Sequence, residues 1–152
     1  MLGRKNYTQD EFDQAKAAVR AQVTAYKKLV KAAAGVKPKK KLLGSIDTFE
    51  TLFFNNMVLV LDRYFVYRVR LVAGKDANAL NEVELLCESL MNNRGVLRVG
   101  NVIKFIPEQT VLKLHPGDAI TLSQEDFERL STAFFEQVQM RFLESPDASD
   151  DR

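Results

Sequence analysis

The sequence predicts a mainly α-helical fold: about four helices packed as a bundle, with a short β-hairpin or meander inserted before the last helix. Three observations support this prediction. Apolar residues recur every three or four positions in several segments, as in helices with one buried face. Capping residues precede some of these segments, and glycine, proline and asparagine separate them. From Val96 to Leu122 the pattern changes to the alternation that is typical of strands.

The first predicted helix begins after Thr8 and ends at Gly35. Thr8 is followed three residues later by Glu11, the spacing of a capping box. An apolar stripe then recurs at helical spacing: Phe12, Ala15, Val19, Val23, Tyr26, Val30 and Ala33. This stripe has little neighbouring sequence to pack on. We therefore predict that the helix contributes to a homodimer interface, the usual outlet for a surplus apolar face.

Turn-forming sequences separate the second and third predicted helices. The basic connection 36–44 contains a proline and a glycine, so the second helix is predicted to begin near Ser45 or Asp47 and to end near Val72. Its last part, Tyr64–Val72, also alternates like a strand; helix is preferred because no helix-breaking residue precedes it. A shorter third helix follows the turn GKDAN and is stopped by NNRG.

Three alternating runs, VIKFI, TVLKL and AITL, predict the small hairpin or meander. Ser123 then caps the last helix, which carries acidic residues in its first turn and an apolar stripe as far as Phe142. We expect one helical domain over residues 1–144. The acidic tail 145–152 is expected to be disordered because it contains nothing to bury.

Composition restricts the class of protein. A chain of 152 residues, 46% hydrophobic and 28% charged, can form one continuous soluble core. The longest apolar run, Met57–Leu61, is far below the ~20 residues of a membrane span. A single cysteine and the lack of an apolar leader predict a cytoplasmic protein. Residues 1–50 hold 11 Lys/Arg against 5 Asp/Glu, and residues 123–152 hold 3 against 8, which indicates an anionic partner or chain ends that meet.

The apolar stretch FFNNMVLVLDRYF contains the first candidate site. On a helix, Asn55 and Asp62 lie seven residues apart on one side, and Asn56 and Arg63 follow an adjacent stripe. They could form a pocket in which Arg63 binds a small anionic ligand and the others orient it. The favoured alternative is a structural network across the bundle or a dimer interface, since an unpaired buried amide costs about 1–3 kcal/mol.

The second candidate site is a lysine cluster. Its members are Lys27, Lys28, Lys31, Lys37, Lys39, Lys40 and Lys41. Together they could neutralise several phosphates of a nucleic acid or another polyanion. Residues 27–41 contain nothing that reads bases: arginine is absent, and no aromatic residue is interleaved among the lysines. A solvated connection with lysines near a helix C-terminus is therefore the favoured interpretation.

Patterns of catalysis and metal binding are missing. The only histidine is His115 and the only cysteine is Cys87, so a nitrogen and sulfur metal site of known spacing is nearly excluded. Glu84 and Glu88 lack the histidine partners of carboxylate metal sites. We therefore predict a non-catalytic, homo-oligomeric interaction protein without metal, cofactor or membrane span. Polyanion binding and small-ligand binding remain the alternatives.

Two runs carry a resemblance to other proteins. GKDANALNEVELLCESL and GDAITLSQEDFERLSTAFF are similar to segments of small bacterial proteins with no assigned function, over residues 50–143. The resemblance carries no catalytic residue across. It implies a single helical domain.

Overall fold

Four α-helices make up most of the chain that the structure describes. The structure is a computed structural model that describes residues 6–35, 37, 39–66, 77–101 and 104–143. The helices are α1 (Gln9–Ala34), α2 (Lys40–Tyr64), α3 (Ala79–Asn92) and α4 (Gln124–Phe142), with a 3₁₀ turn at Pro107–Gln109. The mainly helical prediction is confirmed. None of the helices within these ranges is both long and apolar enough to cross a membrane.

Phenylalanine rings fill the centre of the bundle. Phe54, Phe65, Phe127 and Phe134 are completely buried, and α4 packs against α1, α2 and α3 around them. The ring centroids of Phe65 and Phe134 are 5.7 Å apart, within the ~4.5–7 Å range of interacting aromatic pairs. Because the sequence contains no tryptophan, phenylalanine supplies most of the aromatic volume of the core.

α1 begins as the capping box predicts. Thr8 Oγ1 accepts a hydrogen bond from the Glu11 amide at 3.1 Å, and Glu11 Oε2 accepts one from the Thr8 amide at 3.0 Å. Its buried residues are Phe12, Ala15, Val19, Val23 and Tyr26. They pack on α2 and α4 of the same chain. The part of the predicted stripe from Phe12 to Tyr26 is therefore covered by the chain itself, while Val30 and Ala33 are half-buried.

α2 begins at Lys40, five residues before the predicted start at Ser45, and runs through Gly44 without interruption. The prediction that Gly44 breaks the helix is wrong, because a helical glycine costs only about 1 kcal/mol relative to alanine. The helix ends at Tyr64, where the Phe65 amide donates to Asp62 O. Residues 67–72 of the ambiguous segment lie outside the described residues.

The predicted β-hairpin or meander is not supported. In the described part of 96–122 there is no sheet, and the pairing is limited to one antiparallel bridge, Val96 to Ala119. The alternation of the sequence reflects burial: Leu97, Ile120 and Leu122 lie in the core while their neighbours are half-buried or exposed. A period of two indicates a half-buried extended chain, and it does not specify a strand as its partner.

Side chains of the helices take the place of a partner strand. Glu82 on α3 is buried, and its carboxylate accepts hydrogen bonds from the amides of Val111 and Leu112 at 2.8 and 2.9 Å. Burial raises the pKa of Glu82, although the two backbone N–H groups oppose the shift. Ser89 Oγ accepts from the Arg98 amide at 3.0 Å in the same way. These bonds fix the long connection between α3 and α4 to the bundle.

Candidate binding surface

The four polar residues of the predicted pocket have different environments. Asn55 is half-buried; its Nδ2 donates to Ile120 O at 2.7 Å and its Oδ1 accepts from the Leu122 amide at 3.1 Å. The carboxamide therefore pairs with this backbone as a neighbouring strand would, which agrees with the structural interpretation of Asn55. Asn56 and Arg63 are exposed and Asp62 is half-buried, about 10 Å further along the helix than the asparagines. A ligand at these four residues stays a prediction.

The lysine cluster surrounds one end of the α1–α2 pair, and all seven side chains are exposed. Lys27 Nζ lies 2.6 Å from Glu128 Oε1 on α4. The bond to Lys27 lowers the pKa of Glu128 below its ordinary value. The basic first part of the chain and its acidic last part thus meet at this ion pair. Lys39, Lys40 and Lys41 stand at the start of α2, where the first turn has no acidic residue.

The first half of α2 extends beyond the start of α4. The buried residues of α2, Phe54, Met57, Val58 and Leu61, all lie in its second half. α4 has 19 residues whereas α1 has 26 and α2 has 25, and α4 begins beside Glu50, near the middle of α2. The contacts that set this level are Lys27 with Glu128 and Glu50 with Gln124. Residues 40–49 therefore have no part of α4 to pack on.

One face of this overhanging half forms an open groove. Its volume is about 420 Å³, and it is lined by Lys41, Gly44, Ser45, Thr48, Phe49 and Leu52, which we call the open α2 face. Phe49 is 46% exposed and Leu52 is 66% exposed. Thr48 Oγ1 donates to Gly44 O at 3.1 Å, so the helix backbone already satisfies this hydroxyl. The middle of the open α2 face consequently offers mostly apolar contact.

A stack of aromatic rings supports the open α2 face from within. The ring of Phe49 lies 5.5 Å from that of Phe53 and 6.4 Å from that of Tyr26, and all three are close to parallel. Burial, together with the charge and hydrogen bond of Glu50, raises the pKa of Tyr26 to about 12. Glu50 Oε1 also accepts from the Gln124 amide at 3.0 Å. Phe49 is therefore the outer ring of a stack that is held in place by α1 through Tyr26 and by α4 through the Glu50–Gln124 hydrogen bond.

The open α2 face contains lysine, hydroxyl and apolar groups, and His115 and Cys87 lie on other elements. Cys87 is half-buried on α3, with Sγ 3.6 Å from Val58 O. Within the part of the chain that the structure describes, no group of three or more His, Cys, Asp or Glu residues could hold a metal ion.

Comparison with known proteins gives no identification. The chain matches no protein-family model, and no curated protein and no solved structure is significantly similar to it. The inference of function therefore depends on the surface itself.

The sequence reasoning did not identify the open α2 face. It placed the start of the second helix at Ser45 or Asp47, which removed Lys41 and Gly44 from the helix. The signal was nevertheless in the sequence, since on a helix that begins at Lys40 the six residues of the face follow spacings of three, one, three, one and three.

Proposed function

We propose that this protein is a non-catalytic, cytoplasmic interaction module that forms a homodimer through the open α2 face. The observation that supports the proposal is the exposure of Phe49 and Leu52 on an overhanging helix, beside small residues that leave a groove. A second copy fits this surface because helices pack by inserting the ridge of one into the groove of the other. The first helix, where the sequence predicted the interface, is already covered from Phe12 to Tyr26.

An antiparallel pair of α2 helices gives a complementary fit. If a two-fold axis passes beside Thr48, Leu52 of one copy lies opposite Gly44 of the other, since both are four residues from the axis. A Cβ atom built on Gly44 meets nothing within 4 Å. Within a single chain, therefore, no close contact requires a glycine at position 44, although glycine costs about 1 kcal/mol in a helix. The close approach of Leu52 from a second copy would require a small residue there.

Electrostatic repulsion favours the antiparallel over the parallel arrangement. About the same axis, Lys41 of one copy lies level with residue 55 of the other. The two Lys41 residues are then about 21 Å apart along the helix direction, well beyond the screening length of ~8–10 Å at physiological salt. In a parallel pair the two lysine-rich helix starts would lie side by side.

The size of the open α2 face predicts a moderate affinity. From Lys40 to Leu52 the helix is ~20 Å long and, with its side chains, ~10–12 Å wide. The area of this face is smaller than the ~800 Å² per partner of a standard stable interface. We therefore expect a dissociation constant in the micromolar range, which corresponds to a binding free energy of about −8 kcal/mol.

The test is size-exclusion chromatography with light scattering over the micromolar concentration range. Wild-type protein should change from monomer to dimer, and Leu52→Asp should remain monomeric because the charge would be buried against the second copy. The matched control is Met140→Asp, whose side chain is 76% exposed. Met140 lies near the end of α4, whereas the open α2 face lies near the start of α4. The control should dimerise like wild type. A wild-type monomer throughout, or a dimeric Leu52→Asp, would refute the proposal.

A further inference from the structure

We propose, on the basis of the homodimer proposed above, that the dimer binds the phosphate backbone of duplex nucleic acid through two lysine clusters, one from each copy. Residues 27–46 contain seven lysines and no acidic residue. One of them, Lys27, is held by Glu128. The other six are exposed: Lys28, Lys31, Lys37, Lys39, Lys40 and Lys41.

These lysines have unfavourable charge interactions with one another and with the helix dipole, and a bound anion would reduce them. Lys39, Lys40 and Lys41 surround the start of α2, where the helix dipole disfavours positive charge. The helix has no side-chain cap and no acidic residue in its first turn. A bound phosphate would offset both the dipole term and the repulsion between neighbouring ammonium groups.

Lysines of α1 lie beside the same end of α2. The stacking of Tyr26 on Phe49 and Phe53 sets the level of the two antiparallel helices. Lys28 and Lys31 follow Tyr26 toward the end of α1, so they lie beside the part of α2 that precedes Phe53. Packed helices are ~8–10 Å apart, which places both groups of lysines on one end of the molecule.

The chemistry favours a duplex backbone over the other anionic surfaces. In the dimer Phe49 and Leu52 are covered; Leu29 and Leu43 stay exposed beside the lysines, but no exposed aromatic ring remains among them to stack on unpaired bases. Lysine contacts phosphate as a point charge, and arginine, which reads guanine in the major groove, is absent from residues 27–41. Binding should therefore be independent of base sequence and strongly dependent on salt.

The spacing of the two clusters sets a minimum length for the ligand. Lys40 of one copy lies level with residue 56 of the other, so the two Lys40 residues are ~24 Å apart along the helices. At 3.4 Å per base pair, a duplex needs more than ~7 base pairs to reach both clusters. Longer duplexes should gain affinity because the second contact becomes intramolecular.

The experiment measures fluorescence anisotropy with two labelled DNAs of unrelated sequence, a hairpin of ~5 base pairs and a duplex of ~20 base pairs. Three full-length proteins are compared: wild type, Leu52→Asp, and the triple variant Lys39→Gln, Lys40→Gln, Lys41→Gln. Their oligomeric states are measured in the same buffer. The wild-type dimer should bind the long DNA at least ~10-fold more tightly than Leu52→Asp does, because only the dimer can contact the duplex with two lysine clusters at once. The hairpin should bind both proteins equally.

The triple variant should remain dimeric but lose most of its DNA binding. On the long duplex the slope of log affinity against log salt should fall by up to ~5, because the two copies together lose six lysines. If the triple variant binds DNA like wild type, or a dimeric wild type does not bind the duplex, the proposal is wrong. Binding to phosphatidylserine vesicles or polyglutamate without DNA binding also overturns it. If wild type is monomeric, the homodimer itself has failed, and the oligomeric-state measurement shows this separately.

Discussion

Replacing Asn55 tests whether this residue holds the fold together or binds a ligand. The variant Asn55→Ala removes both hydrogen bonds of the carboxamide, to Ile120 O at 2.7 Å and from the Leu122 amide at 3.1 Å. Ile120 and Leu122 are both buried, so water reaches their backbone poorly once the side chain is gone. Two backbone groups are then left without their partner.

The expected loss follows from these two groups. An unsatisfied buried donor or acceptor costs about 1–3 kcal/mol. Because Asn55 is itself half-buried, some water will enter the space, and we take the lower part of that range. The free energy of unfolding should therefore fall by about 2–3 kcal/mol, a substantial share of the ~5–15 kcal/mol that stabilises a domain.

Urea unfolding followed by circular dichroism measures this loss, since the protein has no tryptophan to report by fluorescence. With a slope of ~2 kcal/mol/M, the midpoint should move down by about 1–1.5 M. The matched control is Asn56→Ala, the same substitution at the exposed neighbour, which should stay within ~0.5 kcal/mol of wild type. If both variants are equally stable, Asn55 is not a structural anchor and the ligand interpretation gains support.

Three further predictions concern other parts of the fold. Burial raises the pKa of Glu82 above 4.5, so as pH falls the folded protein takes up this proton before the unfolded chain does. The free energy of unfolding should therefore fall as pH rises from 4.5 through the pKa of Glu82 in the folded protein. In urea unfolding at several pH values, Glu82→Gln should show a stability that depends less on pH. Lys27→Gln should return the pKa of Glu128 toward 4.5 in an NMR titration, with a stability change below ~1 kcal/mol because the pair is exposed. Gly95 has a φ of 74°, so Gly95→Ala should lower the free energy of unfolding by about 1–2 kcal/mol. Gly44→Ala, measured at protein concentrations too low for dimerisation, should raise the free energy of unfolding by up to ~1 kcal/mol, because Gly44 is helical and its Cβ would have space.

Local signals predicted the elements whose formation depends on local bonds. The capping box at Thr8 and the cap at Ser123 mark the starts of α1 and α4 because both bonds lie within three residues of the cap. The hairpin prediction failed for the opposite reason. The carbonyl of Ile120 accepts from Asn55, 65 residues away, although its amide donates to Gly95 O. Alternation shows which side of a chain is buried without showing what its backbone bonds to.

The open α2 face depends on how far one helix extends past another, which local patterns do not report. Moving the start of α2 from Lys40 to Ser45 shortens it by five residues, or ~7.5 Å. That error leaves the core unchanged, because every buried residue of α2 lies at Phe54 or beyond. It removes half of the length by which α2 passes the beginning of α4, however, and with it part of the reason to expect exposed apolar groups there. A surface formed by an overhang thus requires accurate helix ends, whereas a core requires only the correct faces.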